Sequence, residues 1–194
     1  MRLPILKFAI AALLVCSDTV LAKITPAQVR AEIGGLEKKM NLMGYAAADA
    51  APTAPFPEPG KGKYEWFFKL FEELIKAGNA SNLSMKDMSP VTASADASTI
   101  FQAFEEFYRT YARLLGQLDL NADVRGATSH GENMVFCLTR YKTIIETMTK
   151  TLSKADESHA ADMKKHAEKI SPIFERVIDG FTHRRPTVPK IGKV

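Results

Sequence analysis

The residues with the clearest potential for chemistry are a histidine–aspartate–histidine trio near the carboxyl end. His159, Asp162 and His166 are spaced i, i+3 and i+7, so on a helix they share one face. Imidazole and carboxylate groups on one face are typical zinc ligands. The sequence identifies no fourth ligand, however, and both histidines fall at the margin of an apolar face. We therefore interpret them as boundary residues and predict no metal site.

Catalytic signatures are absent from the sequence. There is no G-x-S-x-G, no H-E-x-x-H, no phosphate-binding loop and no cysteine spacing suited to a metal. Carboxylates are scattered along the chain, and only a tertiary structure could pair them. The sequence therefore predicts a protein that is not an enzyme and has no cofactor, so its function is to be sought in binding.

The stretch 98–118 carries the most concentrated apolar surface. At about 100° per residue it forms a helix whose apolar side chains fall within an arc of roughly 140°. That arc must be covered by other helices, by a ligand, or by both. Five aromatic rings lie on it: Phe101, Phe104, Phe107, Tyr108 and Tyr111.

Two helices are predicted before this stretch. The first begins with a capping box formed by Thr25 and Gln28 and runs to about Tyr45. Glycines 34–35 in its middle cost helix propensity, so we expect a neighbouring helix to approach closely there; the alternative is a backbone opening beside a ligand. The second helix spans 64–76, and its apolar arc of roughly 200° is wider than one neighbour can cover.

Three signals complete the helical pattern. Gly78 is expected to end the second helix, because glycine is the common residue after a helix C-terminus. A capping box at 129–132 begins a fourth helix, and Asp156 or Ser158 begins a fifth, which is expected to bend at Pro172. The predicted fold is an all-α bundle of about five amphipathic helices that follows a cleaved signal peptide.

The amino-terminal segment 1–22 has the features of a secretory signal peptide. Arg2 and Lys7 flank the start of a short apolar run, and the small residues ending at Ala22 fit a signal-peptidase site. The apolar run is too short to span a bilayer, and no apolar tail suited to a lipid anchor closes the chain. We expect a secreted protein, extracellular or in a cell wall, with no integral membrane span.

The remaining chain is expected to form one domain. Residues 23–181 are predicted to be a single helical domain that contains a proline-rich loop at 46–62, and residues 182–194 a basic disordered tail. Cys137 is the one cysteine left after removal of the signal peptide, and we expect it to be buried.

The charge distribution argues against nucleic acid as a partner. The chain carries a formal net charge of +4, but its excess of basic residues lies in the signal peptide and the tail. A nucleic-acid-binding domain would present basic residues on a folded face. Contact of the tail with an anionic polysaccharide or a membrane surface is the open alternative.

Two glycosylation sequons follow the second predicted helix. Asn79 begins N-A-S and Asn82 begins N-L-S, and both are predicted glycosylation sites in a secreted chain. They lead us to expect an exposed loop over 79–96.

The order of these elements resembles the fungal hydrophobic surface-binding protein A and cell-wall galactomannoprotein family. The resemblance covers about residues 24–181. It rests on a short helix ending in A-G-N, on the segments SADASTIFQAFEEFYRTYARLLGQL and CLTRYKTIIETMTKTL, and on the final helix ISPIFERVIDGF. It implies a secreted helical bundle that coats hydrophobic surfaces or holds a fatty acid between its helices, without catalysis.

We therefore predict binding of an apolar ligand, either a fatty acid or similar lipid, or of a hydrophobic surface. Tyr108 or Tyr111 could supply the polar anchor for a carboxylate. The alternative is a secreted interaction protein, similar to an effector, with a solid core and with function in its loops or tail. The candidate ligand contacts are large and lie centrally on facing stripes: Phe67, Phe71, Phe104, Tyr108, Tyr111 and Phe174.

Overall fold

The regular structure of the protein is helical in all the residues that the computed structural model describes, which are 24–49, 63–125 and 131–183. This confirms the predicted all-α class. None of the described helices combines the length and the apolarity that crossing a bilayer requires. The five helices are α1 (Pro26–Asp49), α2 (Lys63–Met85), α3 (Ser94–Arg125), α4 (Gly131–Ala155) and α5 (Ala160–His183).

The helices pack in a closed ring. Helix α1 contacts α2 and α3, α5 contacts α3 and α4, and α2 contacts α4. The order around the ring is therefore α1, α3, α5, α4, α2. Five helices around one axis leave a wider centre than four, and a protein interior must be filled to crystal-like density. Large rings fill it: Tyr141, Phe67, Phe71, Phe104 and Phe107 are among the largest fully buried side chains.

Helix α1 begins as predicted and ends later. The Thr25 N–H donates to Gln28 Oε1 (2.8 Å), and the Gln28 N–H donates to Thr25 Oγ1 (3.3 Å), which confirms the capping box. The helix continues past Tyr45 to Asp49, because its alanines at 46–47 are buried in the core. The loop predicted for 46–62 is thus wrong for 46–49, and the remainder of that prediction, 50–62, lies outside the described residues.

The prediction that α2 ends before Gly78 is wrong. The helix runs on to Met85, so residues 79–85 are helical and the exposed loop predicted for 79–96 shrinks to 86–93. Gly78 does not end the helix. It allows α2 to pack closely on α4, since a Cβ atom placed on it would lie 2.6 Å from Cγ2 of Ile144. The short loop is tied to the end of α4 by a hydrogen bond from Val91 N–H to Ala155 O (2.8 Å).

The expected close approach at glycines 34–35 is also wrong. A Cβ atom on either residue would meet nothing within 4 Å. Gly35 instead borders a surface groove of about 360 Å³ between α1 and α2. The close contact of α1 occurs at Gly44, where a Cβ atom would lie 2.6 Å from Gln117 Oε1 of α3.

The connection between α4 and α5 is fixed by Asp156. Its Oδ1 atom accepts hydrogen bonds from Ser158 Oγ (2.6 Å) and from the His159 N–H (3.3 Å), so it organises the turn before α5. The helix itself begins at Ala160, later than the predicted start at Asp156 or Ser158. Helix α5 ends at His183, two residues into the predicted tail. The signal peptide 1–22 and the rest of the tail lie outside the described residues. Cys137 is a free, buried cysteine, as expected.

Substituting two glycines by alanine should have opposite effects on stability. Gly35→Ala places a methyl group in open space on an exposed helix face and should raise the free energy of unfolding by up to about 1 kcal/mol through helix propensity. Gly78→Ala gains the same propensity but forces Ile144 to shift, and overpacking costs about 1–3 kcal/mol. Urea unfolding of both variants measures the difference. Equal stabilisation by both would contradict the close approach of α4.

Candidate ligand-binding site

A continuous chain of aromatic rings crosses the centre of the ring of helices. On α2, the ring centroids of Phe67 and Phe71 are 6.0 Å apart. Phe71 lies 6.1 Å from Tyr141 of α4, and Tyr141 lies 5.7 Å from Tyr111 of α3. These are edge-to-face contacts, the geometry that aromatic quadrupoles favour. The chain continues along α3 and runs in the order Phe67, Phe71, Tyr141, Tyr111, Tyr108 and Phe104.

A groove opens beside this chain, between α4 and α5. Its volume is about 240 Å³, and its floor is formed by Tyr108 and Tyr111 of α3. Ile145 of α4 and Ala167 of α5 contribute apolar walls, and Phe174 closes one end. The groove is therefore an apolar opening that reaches the central aromatic rings from the surface.

A second groove, of about 460 Å³, continues along the same seam. It is lined by Thr139 of α4 and by α5 residues from Phe174 to Thr182, and it shares Lys142 and Phe174 with the first. The ammonium Nζ of Lys142 lies 5.2 Å from the centroid of the Phe174 ring, a cation–π contact. Because both residues line both grooves, this contact lies where the two grooves meet.

The six candidate ligand contacts divide into two groups. Tyr108, Tyr111 and Phe174 line the first groove. Phe67, Phe71 and Phe104 are fully buried and belong to the aromatic core. The chain of ring contacts connects the groove residues on α3 to the buried group. Their role as ligand contacts stays a prediction, which is now divided into groove-facing and interior residues.

Tyr108 has a satisfied hydroxyl. Its oxygen lies 2.7 Å from Thr149 Oγ1, which itself donates to Ile145 O (2.8 Å). Because the Thr149 proton points to that carbonyl, Tyr108 is the donor between the two hydroxyls. Its proton is thus engaged, and only acceptor capacity remains for a ligand. Burial raises the pKa of Tyr108 to about 12, against the lowering effect of the Thr149 hydrogen bond.

Sequence reasoning missed Tyr141 as a candidate site residue. Its side chain is 1% exposed, and within the described part of the chain its hydroxyl has no hydrogen-bond partner. Burial raises its pKa far above the usual range, with a smaller contribution from Tyr108. Helical spacing places Tyr141 on the inner face of α4 like any core residue, so the sequence contains no signal that marks its hydroxyl as unpaired.

Charges of both signs border the first groove. Lys142 lies 3.9 Å from Glu146, and Lys164 lies 3.9 Å from Glu168, each pair at i and i+4. Exposed pairs of this kind contribute a few tenths of a kcal/mol. The rim therefore carries two cations and two anions, with no excess of positive charge.

The histidine–aspartate–histidine trio does not form a metal site in the described residues. His159 Nδ1 pairs with Asp156 Oδ2 (2.8 Å), and its ring stacks on Phe101 with centroids 4.5 Å apart. His166 Nε2 lies 3.3 Å from Glu105 Oε1. Nowhere in the described ranges do three or more His, Cys, Asp or Glu side chains assemble as metal ligands. The histidines pack between α3 and α5.

The two sequons lie on the last turns of α2 and differ in accessibility. Asn79 is exposed. Asn82 is partly buried, and its Nδ2, the atom to which a glycan would be joined, donates to Ile144 O of α4 (2.9 Å). Glycosylation of both stays a prediction, and the geometry favours Asn79.

The buried tyrosine hydroxyls should make the fold sensitive to alkali. An unfolded tyrosine ionises near pH 10, whereas folded Tyr108 ionises near 12. The folded state therefore favours the neutral phenol over the ionised one. The contribution of Tyr108 to stability should be constant below pH 10 and fall between pH 10 and 12. Tyr108→Phe should lose about 1 kcal/mol at neutral pH but show a shallower alkaline decline. Urea unfolding across this pH range tests it, and identical slopes would refute the assignment.

No family model and no curated protein sequence matches this chain. Solved structures do share its fold. AfMP4p in complex with palmitic acid is 12% identical, covers 81% of this chain and 99% of its own, and has a TM-score of 0.69. Ligand-binding domain 1 of the Penicillium marneffei MP1 protein, complexed with arachidonic acids, is 11% identical at the same coverages and TM-score.

Ligand-binding domain 2 of the MP1 protein, complexed with multiple arachidonic acids, gives the same result. It is 12% identical to this chain, covers 84% of it and 99% of its own length, and has a TM-score of 0.69. At such low identity the likeness concerns the fold. The chain therefore has the helical fold of these fungal ligand-binding domains.

Proposed function

We propose that the protein is a non-catalytic lipid-binding protein that holds the acyl chain of a fatty acid or similar single-chain lipid. The observation that carries this proposal is the pair of grooves along the α4–α5 seam, which share Phe174, and of which the first opens onto Tyr108 and Tyr111. The fold gives independent support, because solved structures of the same fold were obtained with palmitic and arachidonic acids.

The dimensions of the seam suit a chain-like ligand. The first groove, at about 240 Å³, is smaller than the roughly 300–1,000 Å³ of a typical small-molecule site. A ligand that extends into the second groove gains the space it needs. From Lys164 to Thr182 the seam follows α5 for about 27 Å at the helical rise of about 1.5 Å per residue. The site is thus long and narrow, as an acyl chain requires.

A chain that occupies both grooves passes Phe174 and Lys142, and we propose that the Phe174 ring moves away from Lys142 to admit it. A cation–π contact at a partly exposed site is worth about 0.5–1 kcal/mol. Burying one methylene group of a lipid contributes about 0.8 kcal/mol. One or two buried methylenes therefore offset the loss of the contact, and a longer chain gains affinity with each further methylene that it buries.

The alternative is an interaction protein with a solid core that acts through its loops or tail. In that case the grooves would be surface features and wild-type protein would not bind lipid. Adsorption to a hydrophobic surface is a related form of the first proposal. Large exposed apolar side chains that could contribute to it lie on four helices: Leu42, Tyr45, Trp66, Leu83, Leu120 and Phe136.

Filling the first groove should block lipid binding. Ala167 lines the groove on α5, so Ala167→Trp inserts an indole where the acyl chain would lie. We expect at least a tenfold loss of fatty-acid affinity with a small change in stability, because the groove is open to solvent. Ala161→Trp is the matched control, since Ala161 is exposed on the same helix, and its affinity should equal that of the wild type.

The measurement is displacement of a fluorescent fatty acid beside urea unfolding for each variant. Lipid binding by wild type and Ala161→Trp, lost in Ala167→Trp, supports the seam as the site. Equal binding by all three proteins would place the ligand elsewhere. No binding by folded wild type would leave the interaction protein as the better account.

We further propose that the protein is secreted, on the basis of the signal-peptide features of residues 1–22. Removal of that segment should give a mature chain that begins at Lys23. Amino-terminal sequencing of protein recovered from the medium of an expressing culture tests this. A chain that begins at Met1 would contradict it.

A further inference from the structure

The hydroxyl of Tyr141 is a buried hydrogen-bond donor that the described part of the fold leaves unpaired. It has no partner among the groups that the structure describes, although the side chain is only 1% exposed. Leaving such a group without a hydrogen bond is unfavourable, and native proteins rarely retain one without a reason. Phenylalanine would fill the same volume without that cost.

The location of Tyr141 relates it to the proposed lipid site. Its ring contacts Tyr111 edge-to-face at 5.7 Å, and Tyr111 forms part of the groove floor. On its other side, Tyr141 Cε2 would lie 3.7 Å from a Cβ atom on Gly78 of α2. Tyr141 therefore occupies the axis of the bundle, directly behind the floor of the groove. A ligand that displaces the Tyr111 ring would reach it.

The chemistry at this point suits a neutral acceptor. Burial raises the pKa values of both Tyr141 and Tyr111, so both remain neutral phenols at physiological pH. The hydroxyl of the neighbouring Tyr108 already donates its hydrogen bond to Thr149. The buried polar or charged side chains among the described residues are Ser81, Thr110, Thr149 and Asp156, and none of these is basic.

A carboxylate would find no cation at the axis, and its desolvation without one is unfavourable. The rim does not select an anion either, because Lys142 and Lys164 are each beside a glutamate. An undissociated carboxyl group, an ester carbonyl or an alcohol oxygen can accept one hydrogen bond without bringing a charge into the interior. These head groups share a neutral oxygen acceptor.

We propose that the Tyr141 hydroxyl donates a hydrogen bond to a neutral oxygen of the lipid head group, so that the lipid binds with its head at the bundle axis and its chain along the α4–α5 seam. This inference rests on the proposed lipid-binding function and adds the orientation of the lipid and the charge state of its head group.

The first test compares an oxygen-containing ligand with an alkane. Dodecanol and dodecane have matched chains, and only dodecanol can accept from Tyr141. In Tyr141→Phe, the affinity for dodecanol should fall about tenfold, the effect of one buried hydrogen bond, while the affinity for dodecane stays unchanged. The variant should be at least as stable as wild type, because it removes an unpaired hydroxyl. Both ligands are measured by displacement of an apolar fluorescent probe.

The second test uses wild-type protein and dodecanoic acid across a range of pH. If the head group binds undissociated, affinity for the acid should fall as pH rises and the free acid ionises, whereas affinity for dodecanol should not change. Lys142→Gln removes the contact with Phe174, so it should change the affinity for both ligands by the same factor at every pH and leave the shape of both pH profiles as in wild type. Tighter binding at high pH, lost in Lys142→Gln, would place a carboxylate at the rim and overturn the inference.

The outcomes separate this inference from the function on which it rests. If wild type binds both dodecanol and dodecane but Tyr141→Phe binds dodecanol equally well, only the role of Tyr141 is overturned. If Tyr141→Phe loses both ligands to the same extent, the residue is structural and the inference also fails. If wild type binds neither ligand, the proposed lipid-binding function fails with it.

Discussion

The ring of five helices must fill its own axis, and the rest of the structure depends on how it does so. Each helix packs mainly on two neighbours, so the centre is filled by side chains that reach inwards from three helices. Aromatic rings from α2, α3 and α4 meet edge-to-face across the axis, in contacts worth about 0.5–1.5 kcal/mol each beyond their buried area.

This solution places polar atoms in the interior, because three of the central rings are tyrosines. The Tyr108 hydroxyl reaches Thr149, which is itself bonded to a backbone carbonyl of α4. The hydroxyl of Tyr141 finds no such partner in the described structure. Two residues of the same type in one core thus have opposite energetic consequences. The first strengthens the packing of α3 against α4, and the second reduces stability because its hydroxyl is buried without a partner.

The seam between α4 and α5 carries the grooves that the proposed lipid would occupy. The two Lys–Glu pairs at its rim each lie within one helix, and the contact between Lys142 and Phe174, which does join the two helices, is individually weak. Pro172 lies inside α5 near the grooves, and its lack of an N–H removes one hydrogen bond from that helix. By contrast, α2 meets α4 at Gly78 without space for a methyl group. Helix α4 therefore packs closely against α2 on one side and borders open grooves on the side of α5.

The sequence by itself determined the helical class and most of the buried faces. Periodicity placed the apolar stripe of α3 inside, and the capping box at Thr25 marked the start of α1, since both depend on residues close in the chain. The roles predicted for the glycines were wrong because they depend on residues that are distant in the chain. Gly78 permits the close approach of Ile144, whereas a Cβ atom on either of glycines 34–35 would contact nothing. The role of each glycine thus depends on which helix lies opposite it.

The candidate site shows the same division. Helical spacing identified Tyr108, Tyr111 and Phe174 as large inward residues, and the structure places all three on one groove. Spacing could not separate them from Phe67, Phe71 and Phe104, which are equally apolar and equally periodic but lie in the core. Nor could it show that Tyr141 lacks a partner. Periodicity decides which face of a helix avoids water, whereas hydrogen-bond partners and open space arise only when the helices pack together.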